Sequence, residues 1–312
     1  MKILIVDLIH EILIEKLTIA GFECTYNPDI SKEEILYTIE QFDGLVIRSK
    51  IKLTSEVLEK AVNLRFIGRV GAGLESIDLS FAKEKNIICI NSPEGNRDAV
   101  GEHAVGLILS LFHKINQANS EVKNGIWQRE KNRGTELWNC TVGIIGYGNM
   151  GSAFAQRLKG FDCKVISYDK YKTNYSDGNT TEVDLQSIFE TSNILSIHTP
   201  QTDETMFMVN DEFINNFHKS IYLINTARGK IVKTADLVKN LKSGKILGAG
   251  LDVLEWESVS FNDMYNAENA DMEYLKNSEN VILTPHIAGV TKESYYKLSY
   301  YMAEKILNLK LK

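Results

Sequence analysis

Between residues 141 and 169 the chain carries the parts needed to hold a dinucleotide. An apolar run of strand length at 141–145 leads into Gly146, Gly148 and Gly151, spaced as G-x-G-x-x-G, and a helical pattern continues through 153–158. In that context each glycine is needed for its own reason, because the first permits a tight turn, the second lets backbone approach a pyrophosphate, and the third lets the helix pack closely. The start of the helix, with Asn149 and Met150, then turns backbone N–H groups toward the phosphates. A second apolar run ends at Asp169, 23 residues after Gly146. A carboxylate there accepts hydrogen bonds from ribose hydroxyls and repels a 2'-phosphate, so the expected cofactor is NAD rather than NADP, with Lys170 and Lys172 softening that exclusion.

Three further segments place polar residues after apolar runs: 225–229 (NTARG), 252–257 (DVLEWE) and 284–289 (TPHIAG). Ligands of open α/β sheets gather at such strand ends. A guanidinium suits a carboxylate ligand, and a histidine beside a carboxylate suits proton transfer near neutral pH. Gly71, Ala72 and Gly73 also follow a strand, but Ser76 replaces the third glycine and Asn91 stands near the acid position. That loop is expected to present its amides to a small anion. Of the competing histidines, His198 is expected to pack, and His103, among Ala104, Val105 and Leu107, to take a core or interface position.

These residues need a scaffold that brings strand ends together. Strand-length apolar runs at 2–9, 44–48, 65–69 and 87–91 alternate with helical stretches, and a second alternating series follows at 141–146, 164–169, 194–199, 221–226, 247–253 and 281–284. Such alternation predicts parallel sheets and an α/β fold. A helix is expected over 97–124, with Asn96 as its cap, and a last one over 291–311 with Tyr295, Leu298, Met302, Ile306 and Leu309 on one face. Because the second series looks complete, that last helix is expected to return to the first. The expected architecture is two Rossmann-like or flavodoxin-like domains, 1–94 plus 290–312 and 95–289.

Composition excludes other classes. The 35 basic and 41 acidic residues leave a net charge of -6 with no basic stripe, so no nucleic-acid partner is expected. No apolar run reaches the ~20 residues that span a bilayer, and the start of the chain reads as a strand rather than a signal peptide. A cytoplasmic protein without a membrane partner is expected. Cys24, Cys89, Cys140 and Cys163 are dispersed, which predicts buried free thiols and no metal site.

The glycine loop and the three strand-end segments together resemble the D-isomer-specific 2-hydroxyacid dehydrogenase family, through nearly the whole chain. The resemblance implies an active site in the cleft between the domains, with Arg228, Glu257 and His286, each 29 residues from the next, as catalytic residues. Oxidising a 2-hydroxy acid removes a hydride from C2 and a proton from its hydroxyl; the histidine takes the proton, the glutamate orients it, and the arginine holds the substrate carboxylate. Asp252 is implied to accept from the nicotinamide carboxamide. The implied cofactor contacts also include Ala72, Thr199, Pro200, Thr205, Thr226, Ala227, Ala288 and Gly289, and the implied substrate contacts Arg48, Arg69, Val70, Gly71, Ala72 and Gly73.

Within the family the chain looks most like members that oxidise 3-phosphoglycerate for serine synthesis, since Arg48 matches an arginine holding the distal phosphate and Arg69 sits similarly on the next strand. Lys50 and Lys52 read as a solvated strand face. The alternatives are a hydroxypyruvate, glyoxylate or D-lactate reductase and, in another class, an NAD-sensing interaction protein like the C-terminal binding proteins. The family usually has proline after its glutamate, whereas Ser258 follows here and opens a polar insertion to about residue 280, so Glu255 stands as the alternative partner for the histidine. Lys233 stands where the family often has an acid. No regulatory module is expected beyond the last helix, and Trp127 with the long helix implies a homodimer.

Overall fold

A computed structural model describes residues 1–257 and 269–310, which fall into two compact units. The first runs from Met1 to Asn96 and takes up the chain again from Val290. Its elements are β1 (Lys2–Ile5), α1 (Ile12–Ile19), β2 (Glu23–Tyr26), α2 (Lys32–Thr38), β3 (Gly44–Ile47), α3 (Ser55–Lys60), β4 (Phe66–Arg69), α4 (Leu79–Glu84) and β5 (Ile88–Asn91). The strands are all parallel, in the order β2-β1-β3-β4-β5. Both faces are covered, which is why β3 is apolar at every position after Gly44. Leu4, Leu45 and Ile67 enter one core, while Ile3, Ile5, Val46 and Phe66 enter the other, as the two-residue period of a strand requires. Gly44 makes room for its neighbour, since a Cβ there would sit 2.3 Å from Phe66 Cζ. Two expectations differ. β1 ends at Ile5 rather than at residue 9, and β2 is an edge strand whose exposed ECTY run carries no apolar signal.

The second unit begins at Arg97. Its elements are α5 (Arg97–Phe112), α6 (Ile115–Lys123), β6 (Thr141–Ile145), α7 (Asn149–Arg157), β7 (Lys164–Tyr168), β8 (Thr181–Glu182), α8 (Leu185–Thr191), β9 (Ile194–Ile197), α9 (Asp211–Asn215), β10 (Ile221–Asn225), α10 (Thr234–Lys242), β11 (Ile246–Leu251), α11 (Ala270–Asn277) and β12 (Val281–Leu283). The parallel order β12-β11-β10-β9-β6-β7-β8 is doubly wound, and the chain reverses direction across the sheet between β6 and β9. The helix expected over 97–124 is broken at Lys114, whose φ of 51 is left-handed. Asn96 does not cap it, because its Oδ1 is buried without a hydrogen-bond partner. The four cysteines are partly rather than fully buried. Of the expected polar insertion, residues 258–268 lie outside the described residues, and α11 occupies most of the remainder.

The last helix, α12 (Lys292–Leu307), belongs to the first unit. Thr291 caps it with a box in which its hydroxyl accepts from Ser294 N at 3.0 Å and Ser294 Oγ accepts from Thr291 N at 2.9 Å. Leu298, Met302 and Ile306 are buried against Leu13 and Leu17 of α1, each contributing about 1.5–3 kcal/mol of burial.

Candidate active site

At the end of β6 the chain turns through Gly146, whose φ of 92 favours glycine, and enters α7 at Gly148, with no side chain capping the helix. A Cβ on Gly151 would lie 2.1 Å from Gly146 O, so only glycine lets the helix come this close, while the space beside Gly148 is open. The first N–H groups of α7 therefore lack a side-chain acceptor, the arrangement that receives a phosphate. Two buried hydroxyls at neighbouring strand ends, Thr199 Oγ1 after β9 and Thr226 Oγ1 after β10, also have no hydrogen-bond partner. Orphaned groups of this kind are costly unless a ligand satisfies them, and they fit a bound dinucleotide.

Asp169 is held in place by backbone, its Oδ2 accepting from Tyr147 N at 2.8 Å and its Oδ1 from Tyr171 N at 3.0 Å. Lys170 is ion-paired with Glu204, and Lys172 donates to Tyr147 O at 2.8 Å. Both lysines are thus committed beside the carboxylate. A cavity of about 330 Å³ next to the loop is lined by Tyr147, Gly148, Asn149, Ser152, Lys172 and Tyr175. Tyr147 stacks on Tyr175 at 5.2 Å, a side wall that the spacing of the motif could not reveal. Thr205 serves its own turn, accepting from Thr202 N at 2.8 Å and donating to Pro200 O at 2.7 Å.

The arginine loop is built by Asn225, which is fully buried: its Oδ1 accepts from Ala227 N and its Nδ2 donates to Arg228 O, both at 3.0 Å. Arg228 Nη1 donates to Ala227 O at 2.6 Å. A Cβ on Gly229 would sit 1.9 Å from Leu254 O, so this glycine lets the 225–229 loop lie directly on the 252–257 loop. Glu257 Oε2 meets His286 Nδ1 at 2.6 Å, and its other oxygen accepts from Leu254 N. Glu255, the alternative partner, instead accepts from Thr234 N at 3.0 Å.

His286 has a φ of 55, a left-handed conformation that costs a non-glycine residue about 1–2 kcal/mol. Asp252 holds it there. The aspartate is 1% exposed, its carbonyl accepts from His286 N at 2.8 Å, and its carboxylate accepts from Thr284 Oγ1 at 2.6 Å, Ile287 N at 2.9 Å and Ala288 N at 2.8 Å. The expected nicotinamide acceptor thus first organises the turn that carries the histidine. His103 of α5 joins this cluster, with Nε2 3.0 Å from Thr284 Oγ1 and 3.5 Å from Asp252 Oδ1.

In the first unit Arg69 Nε donates to Arg48 O at 3.2 Å, Arg48 Nη1 to Leu8 O at 3.4 Å, and Arg48 N to Asp7 at 2.6 Å. The guanidinium of Arg69 lies over Gly71, filling the space a side chain there would take: a Cβ would fall 1.6 Å from Arg69 Nη1. Val70 N donates to Ile47 O at 2.8 Å, and Ala72 O accepts from Asn91. Gly73 follows in the same loop. The solvated reading of Lys50 is corrected: its ammonium caps the carbonyls of Pro28 and Ile30, while Lys52 is exposed.

A glycine turn opening an uncapped helix at the switch point of a doubly wound sheet defines a dinucleotide-binding domain. Residues 105–288 match the family model described as "D-isomer specific 2-hydroxyacid dehydrogenase, NAD binding domain", and the chain belongs to that family, with NAD as its cofactor. It is 34% identical over 311 residues to the D-3-phosphoglycerate dehydrogenase of Archaeoglobus fulgidus, covering 99% of this chain and 57% of that one. It is 35% identical over 277 residues to the hydroxypyruvate reductase of Thermotoga maritima, covering 89% and 88%. The crystal structure of D-lactate dehydrogenase from Aquifex aeolicus with NAD and lactic acid superposes with a TM-score of 0.83 at 28% identity, covering 98% and 94%. The chain thus spans little more than half the length of the phosphoglycerate dehydrogenase it resembles.

Proposed function

We propose that this chain oxidises the C2 hydroxyl of 3-phosphoglycerate to the 2-oxo acid. The observation that carries the dehydrogenase reading is the 2.6 Å pair of Glu257 and His286, in which Glu257 ends the loop that packs against the one bearing Arg228. In this reading the ring nitrogen of His286 opposite the Glu257 contact takes the hydroxyl proton, and the adjacent carboxylate stabilises the charge the ring acquires. Arg228 binds the substrate carboxylate with its planar fork and polarises the C2 oxygen as it becomes a carbonyl. Bound NAD supplies the acceptor for the hydride that leaves C2.

The substrate assignment rests on Arg48 and Arg69, whose guanidinium groups share one strand-end region and suit a phosphate better than a methyl or hydroxymethyl group. A second reading, reduction of hydroxypyruvate, glyoxylate or a lactate-forming 2-oxo acid, draws on the hydroxypyruvate reductase matched over 88% of its length. Steady-state turnover of 3-phosphoglycerate and D-glycerate separates the two. Arg48→Ala is expected to cut kcat/KM for the phosphorylated acid by roughly 10- to 100-fold, the worth of one charge-assisted hydrogen bond, and to affect D-glycerate much less. Equal loss on both acids, or none, defeats the phosphate assignment.

We assign the exposed apolar side chains of Ile115, Val122, Ile126, Trp127 and Trp138 to contact with a second copy of the chain. Sedimentation at micromolar concentration is expected to show a dimer, and a monomer would contradict the assignment.

A further inference from the structure

The polar cluster around Asp252 runs in one direction. Thr284 has a single hydroxyl proton, and at 2.6 Å from Asp252 Oδ1 that proton is given to the carboxylate. The hydroxyl oxygen therefore accepts from His103 Nε2 at 3.0 Å, so the N–H of His103 lies on Nε2. The chain reads His103 Nε2–H to Thr284 Oγ1–H to Asp252 Oδ1. Asp252 in turn accepts from Ile287 N and Ala288 N after His286, and its carbonyl accepts from His286 N itself. Thr284 and Ile287 flank the Pro285–His286 step, so this one aspartate clamps both sides of a left-handed histidine.

We propose that His103 is a positioning residue for the reaction: its donated hydrogen bond fixes the Thr284 hydroxyl and the Asp252 carboxylate, and through them the orientation of the His286 imidazole toward Glu257. The role rests on the assignment of His286 as the acid–base group. It needs a donor at the place of Nε2 and does not need a ring. Phenylalanine fills the space without donating, whereas glutamine donates without the ring.

Kinetics on the full chain with NAD and the best 2-hydroxy acid test this. His103→Phe is expected to lower kcat by roughly 10- to 100-fold, the cost of a slightly misplaced group, with a smaller change in KM for NAD, and His103→Gln to recover most of the loss. Thr284→Val breaks the same chain at its middle, so the His103→Phe, Thr284→Val double variant is expected to be no slower than the slower single one. A second readout needs no turnover: the downfield proton resonance of the His286 to Glu257 hydrogen bond, identified by its absence in His286→Ala, should move in His103→Phe and stay in His103→Gln. Wild-type kcat in His103→Phe, equal losses in the Phe and Gln variants, multiplying losses in the double variant, or an unmoved resonance would each overturn the proposal. Should His103→Phe fail to fold, Thr284→Val with an unchanged resonance overturns it equally. Full activity in His286→Ala defeats a different claim, the assignment of the acid–base group.

Discussion

His198 and His286 both follow a parallel strand of one sheet, β9 and β12, yet they do opposite things. His198 places Nε2 2.8 Å from Ser196 Oγ, its Nδ1 is shielded from solvent with no partner, and its ring lies 5.3 Å from Phe154. Burial without a countercharge pushes it down to about 3, so it stays neutral. His286 meets a carboxylate at 2.6 Å and stands in a strained turn that a buried aspartate enforces. A histidine at a strand end is therefore not functional by position. What separates the two is a charged partner for one ring nitrogen and a backbone held so that the other can face a ligand.

The sharpest way to break this contrast is to remove each imidazole in turn. His286→Ala is expected to lower kcat by about 10²–10⁴-fold, the usual worth of a positioned acid–base group, while leaving thermal stability close to wild type. Glu257→Gln should fall between that variant and wild type, with a loss of about ten- to a hundredfold, as orienting partners of imidazoles typically give. A Glu257→Gln enzyme with full kcat would show that the carboxylate contact is structural. The contrast would then reduce to exposure alone.

Local motifs were the legible part. The glycine loop, Asp169, and the arginine, glutamate and histidine segments each declare themselves within a few residues, because strand, turn and helix onset impose short-range spacing. The parallel alternation of both units was readable for the same reason. What escaped is long in sequence and short in space: His103 and Thr284 are 181 residues apart and 3.0 Å in contact. Glu257 could be told from Glu255 only by which carboxylate the 252–257 loop turns inward. Asn225 reads as an ordinary polar residue at a strand end, and only its complete burial and two backbone hydrogen bonds reveal that it shapes the arginine loop. The break at Lys114 was invisible because the residues on either side of it have helical patterning.

The mildest expected effect belongs to His198. In the unfolded chain this histidine takes up a proton as pH falls through its ordinary value of 6.5, whereas in the folded protein it resists until about 3. Between those values the unfolded state binds more protons, so folding stability is complete above about pH 6.5 and declines below it, by up to about 1.4 kcal/mol per pH unit. His198→Gln can keep a hydrogen bond to Ser196 and cannot charge. Unfolding free energies from denaturant titrations at pH 8 and pH 5 are therefore expected to differ by about 2 kcal/mol more in wild type than in His198→Gln, with other titrating groups cancelling between the two proteins. Activity at pH 8 should be kept in the variant. Identical pH dependence in both proteins would mean that His198 is hydrated or paired in solution, and that the two histidines differ less than their surroundings imply.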